Sequence, residues 1–403
     1  MPTTAQPQAG ILDAEVADFR PDPHAGFAKY RARTALINLG GDLPLATRHA
    51  DVCTLMTDAR TRQMETEPLT MRGITNGDLY GFFAASMLQS NPPFHSRRRR
   101  PAAKSFFPSL IEAWRPRIRA LVTEILQGLD DEPQFDFLQQ VAAPLPSRLI
   151  GEILGAPPDD APWFSERVQV MSRGLTAFRE ADFPNIEAAA HDLTLYVQNL
   201  LEDRRARPRD DFLTDYIARA GEDPDLTDAE TVIQIVTLIL AGSDTTRFGV
   251  TSTLSLLLQH PSQWDALCAN PGLAKGAVLE SLRFEPPVGS IGRVVVDPME
   301  IGGIPLPSGT FVALSILSAQ RDPAVYDAPD RFDIQRTDQP KLSLNFGLGA
   351  HRCLGEHLAR AEMEELLIAV TSRWPGLRFA APPPNTLGFT GIRGIEPLIL
   401  TAA

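Results

Sequence analysis

The stretch from Thr227 to His260 contains no proline and opens on Thr227-Asp228-Ala229-Glu230. This is a capping box: a hydroxyl at the N-cap and a carboxylate three residues on satisfy amide groups that a helix leaves open at its start. The spacing predicts a helix of roughly 30 residues, about 45 Å long at ~1.5 Å per residue. From Val232 to Leu240 the run is apolar nearly all round, and a helix without a polar face has to be covered on every side. Val232 to Ala241, the most apolar segment of the chain, is shorter than the about 20 residues a bilayer requires. The cover is therefore expected to be protein, which commits the chain to a large helical body.

The remaining sequence supplies that body. A helical pattern runs from about Ser96 to Gln259, with prolines at 101, 108, 116, 144, 146, 157, 158 and 162 predicted to divide it into separate helices. Arg207-Pro208 and Asp223-Pro224 mark further loops. A shorter helix is predicted from Leu273 to Phe284, ended by Pro286-Pro287, and a last long one from about Leu354 to Trp374, stopped by Pro375-Gly376. Arg293 to Val296 and Thr310 to Leu314 alternate like strands. Pro323 to Asn345 is polar and irregular. The first 24 residues or so read as an irregular arm, followed by sparse β-type segments with turns at Gly40-Gly41-Asp42 and Asn76-Gly77. With no repeat, no low-complexity tract and no composition break, residues 1–403 are expected to form a single domain, mainly α with a minor β region.

Charge and cysteine usage narrow the function. The 38 Lys+Arg against 50 Asp+Glu give a formal charge of −12, which argues against a nucleic-acid binder. Cys53, Cys268 and Cys353 are far apart and odd in number, so a disulfide framework is not expected and a reducing, cytoplasmic setting is. MPTTAQPQAG lacks the basic start and apolar stretch of a secretory signal, and a soluble protein without a membrane anchor is expected. There is no CxxC pair, HExxH or GxSxG, and Gly347-Leu348-Gly349 is followed by Arg352 where a dinucleotide fingerprint needs glycine.

The densest chemical signal is Phe346-Gly347-Leu348-Gly349-Ala350-His351-Arg352-Cys353-Leu354-Gly355. Three glycines around one cysteine, just before a helix, describe a tight loop that delivers sulfur to a helix N-terminus, where the backbone favours thiolate over thiol. Glycines also let a flat cofactor approach the backbone. Position for position, at Phe346, Gly349, His351, Cys353 and Gly355, the segment resembles the haem-binding loop of the cytochrome P450 family. The resemblance implies haem b with Cys353 as the proximal iron ligand, Phe346 beside the sulfur and His351 facing a propionate.

Other segments match the family in order. Glu280-Ser281-Leu282-Arg283 resembles its ExxR element, an i, i+3 pair on one helix face. The family completes this pair with a later arginine, for which Arg336 is the better candidate and Arg331 the alternative; the three are expected to serve folding, since buried charges require pairing. Ala241-Gly242-Ser243-Asp244-Thr245-Thr246 resembles the oxygen-binding kink of the family's long helix. A threonine in a helix can simply bond a carbonyl one turn back; the resemblance instead implies that Ala241 and Gly242 make room for O2 while Asp244 and Thr245 conduct the two protons that O–O cleavage consumes. Thr246 is expected to support the helix. In Asn91-Pro92-Pro93-Phe94-His95-Ser96-Arg97-Arg98-Arg99-Arg100, His95 and Arg99 match the family's HxxxR propionate pair, with Asn91 where the family often has Asp. Arg97, Arg98 and Arg100 could offer a basic docking surface to an acidic electron donor. Arg293 matches a further propionate partner. Phe82, Phe83, Met87, Val288, Ile291 and Ile395 fall in segments where the family contacts substrate.

The resemblance implies the family's fold, with haem between the long central helix and the cysteine loop. It also implies a monooxygenase that inserts one atom of O2 into a small organic substrate and reduces the other to water. No fused flavin or iron–sulfur segment is recognisable, so electrons from NAD(P)H are expected to arrive through a separate ferredoxin and ferredoxin reductase, and a monomer is expected. Two alternatives fit these residues less well. A peroxygenase usually lacks the acid–alcohol pair that Asp244 and Thr245 form here, and a non-catalytic haem sensor would have no use for a proton relay.

Overall fold

The computed structural model describes residues 10–20, 22–39, 43–105, 108–130, 132–176 and 178–402. By its internal contacts the chain divides into two units.

The first unit comprises residues 1–64, 279–353 and 387–394. Its frame is a six-stranded mixed sheet in the order Leu12–Asp13, Leu36–Asn38, Pro44–Ala46, Phe311–Ser315, Ser290–Val295, Thr61–Gln63. Ser290–Val295 is the longest strand; it pairs antiparallel with Phe311–Ser315, Arg293 opposite Val312, and with Thr61–Gln63, Arg293 opposite Gln63. One face buries Val52 and Leu55 of the helix His49–Thr57 against Val295, Val312 and Leu314. Each such aliphatic side chain contributes about 1.5–3 kcal/mol on leaving water. The predicted strands at 293–296 and 310–314 are present, and 323–343 contains neither helix nor strand. The irregular arm requires correction. From residue 10 onward this region holds the strand Leu12–Asp13, a one-turn helix Val16–Phe19 and the start of the helix Pro23–Arg31. Phe19 fixes it: the ring is buried, 4.9 Å from Phe27 and 5.3 Å from Phe389. Residues 1–9 and the turn at 40–42 lie outside the described residues.

The second unit comprises residues 65–278, 354–386 and 395–403 and is helical, apart from a three-stranded antiparallel sheet of Leu377–Phe379, Ile399–Ala402 and Phe135–Asp136. The predicted long helix runs from Asp228 to Gln259, 32 residues, with both halves of the capping box formed: the Glu230 amide donates to Thr227 Oγ1 at 3.1 Å and the Thr227 amide to Glu230 Oε2 at 3.0 Å. Every residue from Glu230 to Leu240 is buried. Helices Phe94–Ser105, Pro144–Ile153, Ala161–Ser172, Phe183–Ala206 and Glu356–Arg373 surround it. No described helix is long and apolar enough to cross a membrane.

Two expectations fail in this unit. Pro101 and Pro116 do not divide the chain but lie inside the helices Phe94–Ser105 and Pro108–Gln127. An internal proline costs a helix about 3 kcal/mol, and tertiary ion pairs beside each one offset it: Arg97 and Arg98 hold Glu230, while Arg115 and Arg119 hold Glu364 and Glu365. Nor does the Asn76-Gly77 turn lie among β-type segments, since helices flank it. Gly77, at φ +97°, is the N-cap of the helix Asp78–Ala85, and Glu187 accepts from the amides of Asp78 at 2.5 Å and Leu79 at 3.1 Å.

Candidate functional site

In the first unit the cysteine loop is closed by its own backbone. A 3-10 turn, Leu344–Phe346, ends at Gly347 with φ +70°, and Gly349 follows at +68°, conformations that side-chain-bearing residues avoid. The chain thereby doubles back so that the Cys353 amide donates to the Phe346 carbonyl at 2.7 Å, and Arg352 Nη1 braces the Gly347 carbonyl at 2.8 Å. Cys353 is the exposed cysteine of the three. Burial pushes the thiols of Cys53 and Cys268 upward, so neither is a ready thiolate. The helix Glu356–Arg373 begins three residues after Cys353 with Gly355 as its N-cap, and the half-buried His351 closes the turn Gly349–His351, whose other two residues are exposed.

Arg293 lies in the same neighbourhood. Its Nη2 reaches the Met56 carbonyl at 3.4 Å, and a Cβ built on Gly349 would stand 3.8 Å from that carbonyl. The end of the helix His49–Thr57 thus joins Arg293 to the cysteine loop, a role no sequence signal gave. Arg293 is 3% exposed, yet its acceptors are neutral: the Met56 carbonyl and Gln63 Oε1. Burial pushes its pKa down to about 10, and among the described residues it has no carboxylate partner. A buried guanidinium without an anion is costly; an anionic ligand group would repair the deficit.

The Glu280 cluster is sealed. Arg283 grips both Glu280 oxygens, at 2.7 and 2.8 Å, while Arg336 Nε, the Asp333 amide and Gln339 Nε2 add bonds at 3.2, 3.0 and 3.3 Å. Arg336 is the third member. Arg331 turns its guanidinium to Asp333 and offers only its backbone carbonyl to Arg283 and Arg336. Of the substrate candidates in this unit, Ile291 lies on the strand Ser290–Val295 and Val288 bridges to Ile392.

In the second unit His95 is buried on the helix Phe94–Ser105, and burial, then the charge of Arg99, holds its pKa below the ordinary histidine value. The neighbouring arginines also have partners within this unit. Arg97 and Arg98 bind Glu230 at 3.0 and 2.7 Å, and Arg100 binds Asp223 at 2.7 Å. Arg97 and Arg98 are half-buried in these pairs, whereas Arg100 stays exposed. Burial would push the Glu230 carboxyl up, but the Thr227 amide and the two guanidinium groups bring its pKa to about 2.

Further along the long helix, the cover breaks at Ala241, which is exposed, and Gly242, where an added Cβ would meet nothing within 4 Å. Helical backbone continues through 241–246, and Thr245 Oγ1 donates to the Ala241 carbonyl at 3.1 Å. Asp244 points elsewhere: its Oδ1 pairs with Arg247 Nη2 at 2.9 Å and its Oδ2 accepts from the Ser172 hydroxyl. Sequence reading named neither partner, although i, i+3 spacing could have found Arg247. Thr246 is buried. Phe82, Phe83 and Met87 are buried too, the two rings 6.1 Å apart, and the Met87 amide is bound to Gln234. Ile395 is half-buried in the strand Gly394–Ile395.

Known proteins resemble this chain over most of its length. A family model described as Cytochrome P450 matches residues 166–270 and 272–374. The plant-inducible cytochrome P450-pinF1 of Rhizobium radiobacter is 38% identical over 371 residues, which is 92% of this chain and 88% of that protein. Nocardicin C N-oxygenase of Nocardia uniformis subsp. tsuyamanensis is 33% identical over 375 residues, 90% of each. The crystal structure of P450BioI in complex with a hexadec-9Z-enoic acid ligated acyl carrier protein superposes with a TM-score of 0.89 at 28% identity, covering 96% of this chain and 100% of that one.

Proposed function

Because the chain belongs to the cytochrome P450 family of haem-thiolate monooxygenases and has its fold, we propose that it inserts one atom of O2 into a small organic substrate, with electrons passed from NAD(P)H by a separate reductase and ferredoxin. The whole chain would act as one catalytic domain. Haem, when bound, supplies the O2 binding and oxidising power, with a cysteine thiolate as its proximal iron ligand.

The observation that carries the assignment to this chain's residues is the Cys353 loop, an exposed sulfur on a backbone pinned by the 2.7 Å bond to the Phe346 carbonyl. In the first unit Cys353 would be the iron ligand, with Phe346 beside it and Gly349 and Gly355 shaping the loop. Arg293 and His351 would take propionate, and the missing counter-charge at Arg293 supports that role. In the second unit His95 and Arg99 would take propionate. Ala241 and Gly242 would leave room for O2, as the open space at Gly242 supports. Asp244 would hold a proton at its carboxylate and Thr245 would pass it on at Oγ1, whose present bond to a carbonyl is one a hydroxyl can exchange. The six substrate candidates are all apolar, which supports a largely apolar substrate.

The test is the reduced, carbon monoxide-bound spectrum of the haem-loaded protein. The thiolate-type band is expected in the wild type and absent in Cys353→Ala. Its persistence in the variant, or its absence from the wild type, would defeat the assignment.

A further inference from the structure

Glu285, immediately before Pro286-Pro287-Val288, gathers partners from three other segments of the first unit. Its Oε1 accepts from His24 Nε2 at 2.6 Å and stands 3.6 Å from Arg321 Nη2, while its Oε2 pairs with Arg393 Nη1 at 2.7 Å. His24 belongs to the helix Pro23–Arg31. The Arg393 side chain is 0% exposed, and it also binds the Pro286 carbonyl at 3.1 Å and the Gly388 carbonyl at 3.0 Å. An ionised carboxylate only accepts, so His24 Nε2 carries the proton. His24 Nδ1 is buried with no hydrogen-bond partner among the described residues. Burial holds the His24 pKa below the ordinary value against the pull of Glu285. Near neutrality the ring is therefore an uncharged donor.

The turn that carries Arg393 lies directly on residues 287–290. The Arg393 amide donates to the Pro287 carbonyl at 2.8 Å, the Gly289 amide to the Gly391 carbonyl at 2.7 Å and the Gly391 amide to Ser290 Oγ at 3.1 Å. Val288 bridges to Ile392 in the same patch. A Cβ built on Gly289 would stand 2.6 Å from the Phe389 carbonyl oxygen, too close for any other residue. Behind the turn, the Phe389 ring packs on Phe19 at 5.3 Å and Phe27 at 6.3 Å. N-terminal elements thus hold the turn twice: its ring among aromatic side chains, and its arginine through the carboxylate that His24 shares. A buried ion pair adds little net stability, but it can specify one geometry.

Resting on the reading of Val288 and Ile291 as substrate contacts, we propose that Glu285 anchors an apolar wall formed by Val288 and Ile392, with His24 and Arg393 as positioning residues. None of the three touches substrate. They act on fit: a wall held in one shape discriminates among bulky apolar ligands and leaves a small ligand unaffected. The N-terminal helix thereby takes part in specificity from behind the wall.

The test compares two azole probes on the haem-loaded protein, imidazole and 4-phenylimidazole, by the shift of the Soret band. Hydrogen exchange at the backbone amides of positions 289, 391 and 393 is a second readout that needs no ligand. Arg393→Met is expected to weaken 4-phenylimidazole about tenfold, the worth of one hydrogen bond to a charged group, with imidazole held within about twofold. The three amides should exchange faster. His24→Leu should act in the same direction by about threefold. His24→Gln, whose side-chain amide can donate from near the Nε2 position, should restore both readouts. Should Arg393→Met fail to fold, the His24 pair decides. If Val288→Ala alters 4-phenylimidazole binding while His24→Leu and Arg393→Met leave both readouts as in wild type, the anchor is overturned and Val288 stays a contact. Equal weakening of both azoles in His24→Leu would also overturn it, since the cluster would then serve stability alone. If Val288→Ala binds 4-phenylimidazole like wild type, the contact reading falls and the anchor with it.

Discussion

Glu280-Arg283 and Asp244-Arg247 are the same local device, an acid and an arginine three residues apart on a helix, in two very different settings. At Glu280 the side chains are 0% and 1% exposed, and five hydrogen bonds from four donor residues fill the carboxylate. At Asp244 the arginine and acid are 25% and 13% exposed, two bonds hold the carboxylate, and a polar cavity adjoins it. A buried ion pair is tolerable only when every lone pair is met, and once met it has nothing left to exchange. An acid that must accept and release protons needs the opposite: few fixed bonds and access to water. Spacing alone makes the two pairs look alike; saturation separates the brace from the proposed relay.

That contrast can be broken by substitution. Glu280→Gln strands Arg283 without an anion and is expected to cost about 3–5 kcal/mol, measured by denaturant unfolding of the haem-loaded protein. A loss under about 1 kcal/mol would show that the cluster is not the brace its geometry suggests. Asp244→Asn should do the reverse: stability within about 1 kcal/mol of wild type, but turnover slower by about 100-fold with more peroxide released. An Asp244→Asn protein that unfolds as easily as Glu280→Gln would erase the distinction. Glu230, held by Arg97 and Arg98 at the start of the long helix, sharpens the comparison as an intermediate case. Its pKa falls from 4.5 to about 2 on folding, so its stabilisation is present above the ordinary value and is lost as pH drops from there through about 2. Glu230→Gln should flatten the stability profile across that window and cost about 2–3 kcal/mol near neutrality, since losing the buried carboxylate would leave Arg97 and Arg98 without their anion. An unaltered acid slope would remove Glu230 from the account.

Legibility along the chain followed the range of the interaction. The capping box at Thr227, the glycines before Cys353 and the Glu280-Arg283 pair could all be read because their partners lie within a few residues. The pairing of Arg97 and Arg98 with Glu230 spans more than 130 residues and that of Arg100 with Asp223 spans 123, so four consecutive arginines gave no sign of either. The cap on Asp78 comes from Glu187, so Asn76-Gly77 gave no sign that it opens a helix. Pro101 and Pro116 were read as breaks because the compensating ion pairs are equally remote.

By itself the sequence determined that this chain builds a helical body around one long buried helix, and that Cys353 precedes a helix in a glycine loop. Both follow from hydrogen bonds and steric limits that act over a handful of residues. Tertiary structure decided which charges are spent: that Arg336 rather than Arg331 reaches Glu280, that Arg293 is buried beside neutral acceptors, and that Asp244 faces a polar cavity. Desolvation is the reason. The worth of a charge depends on how much water its neighbours exclude, and those neighbours come from distant parts of the chain.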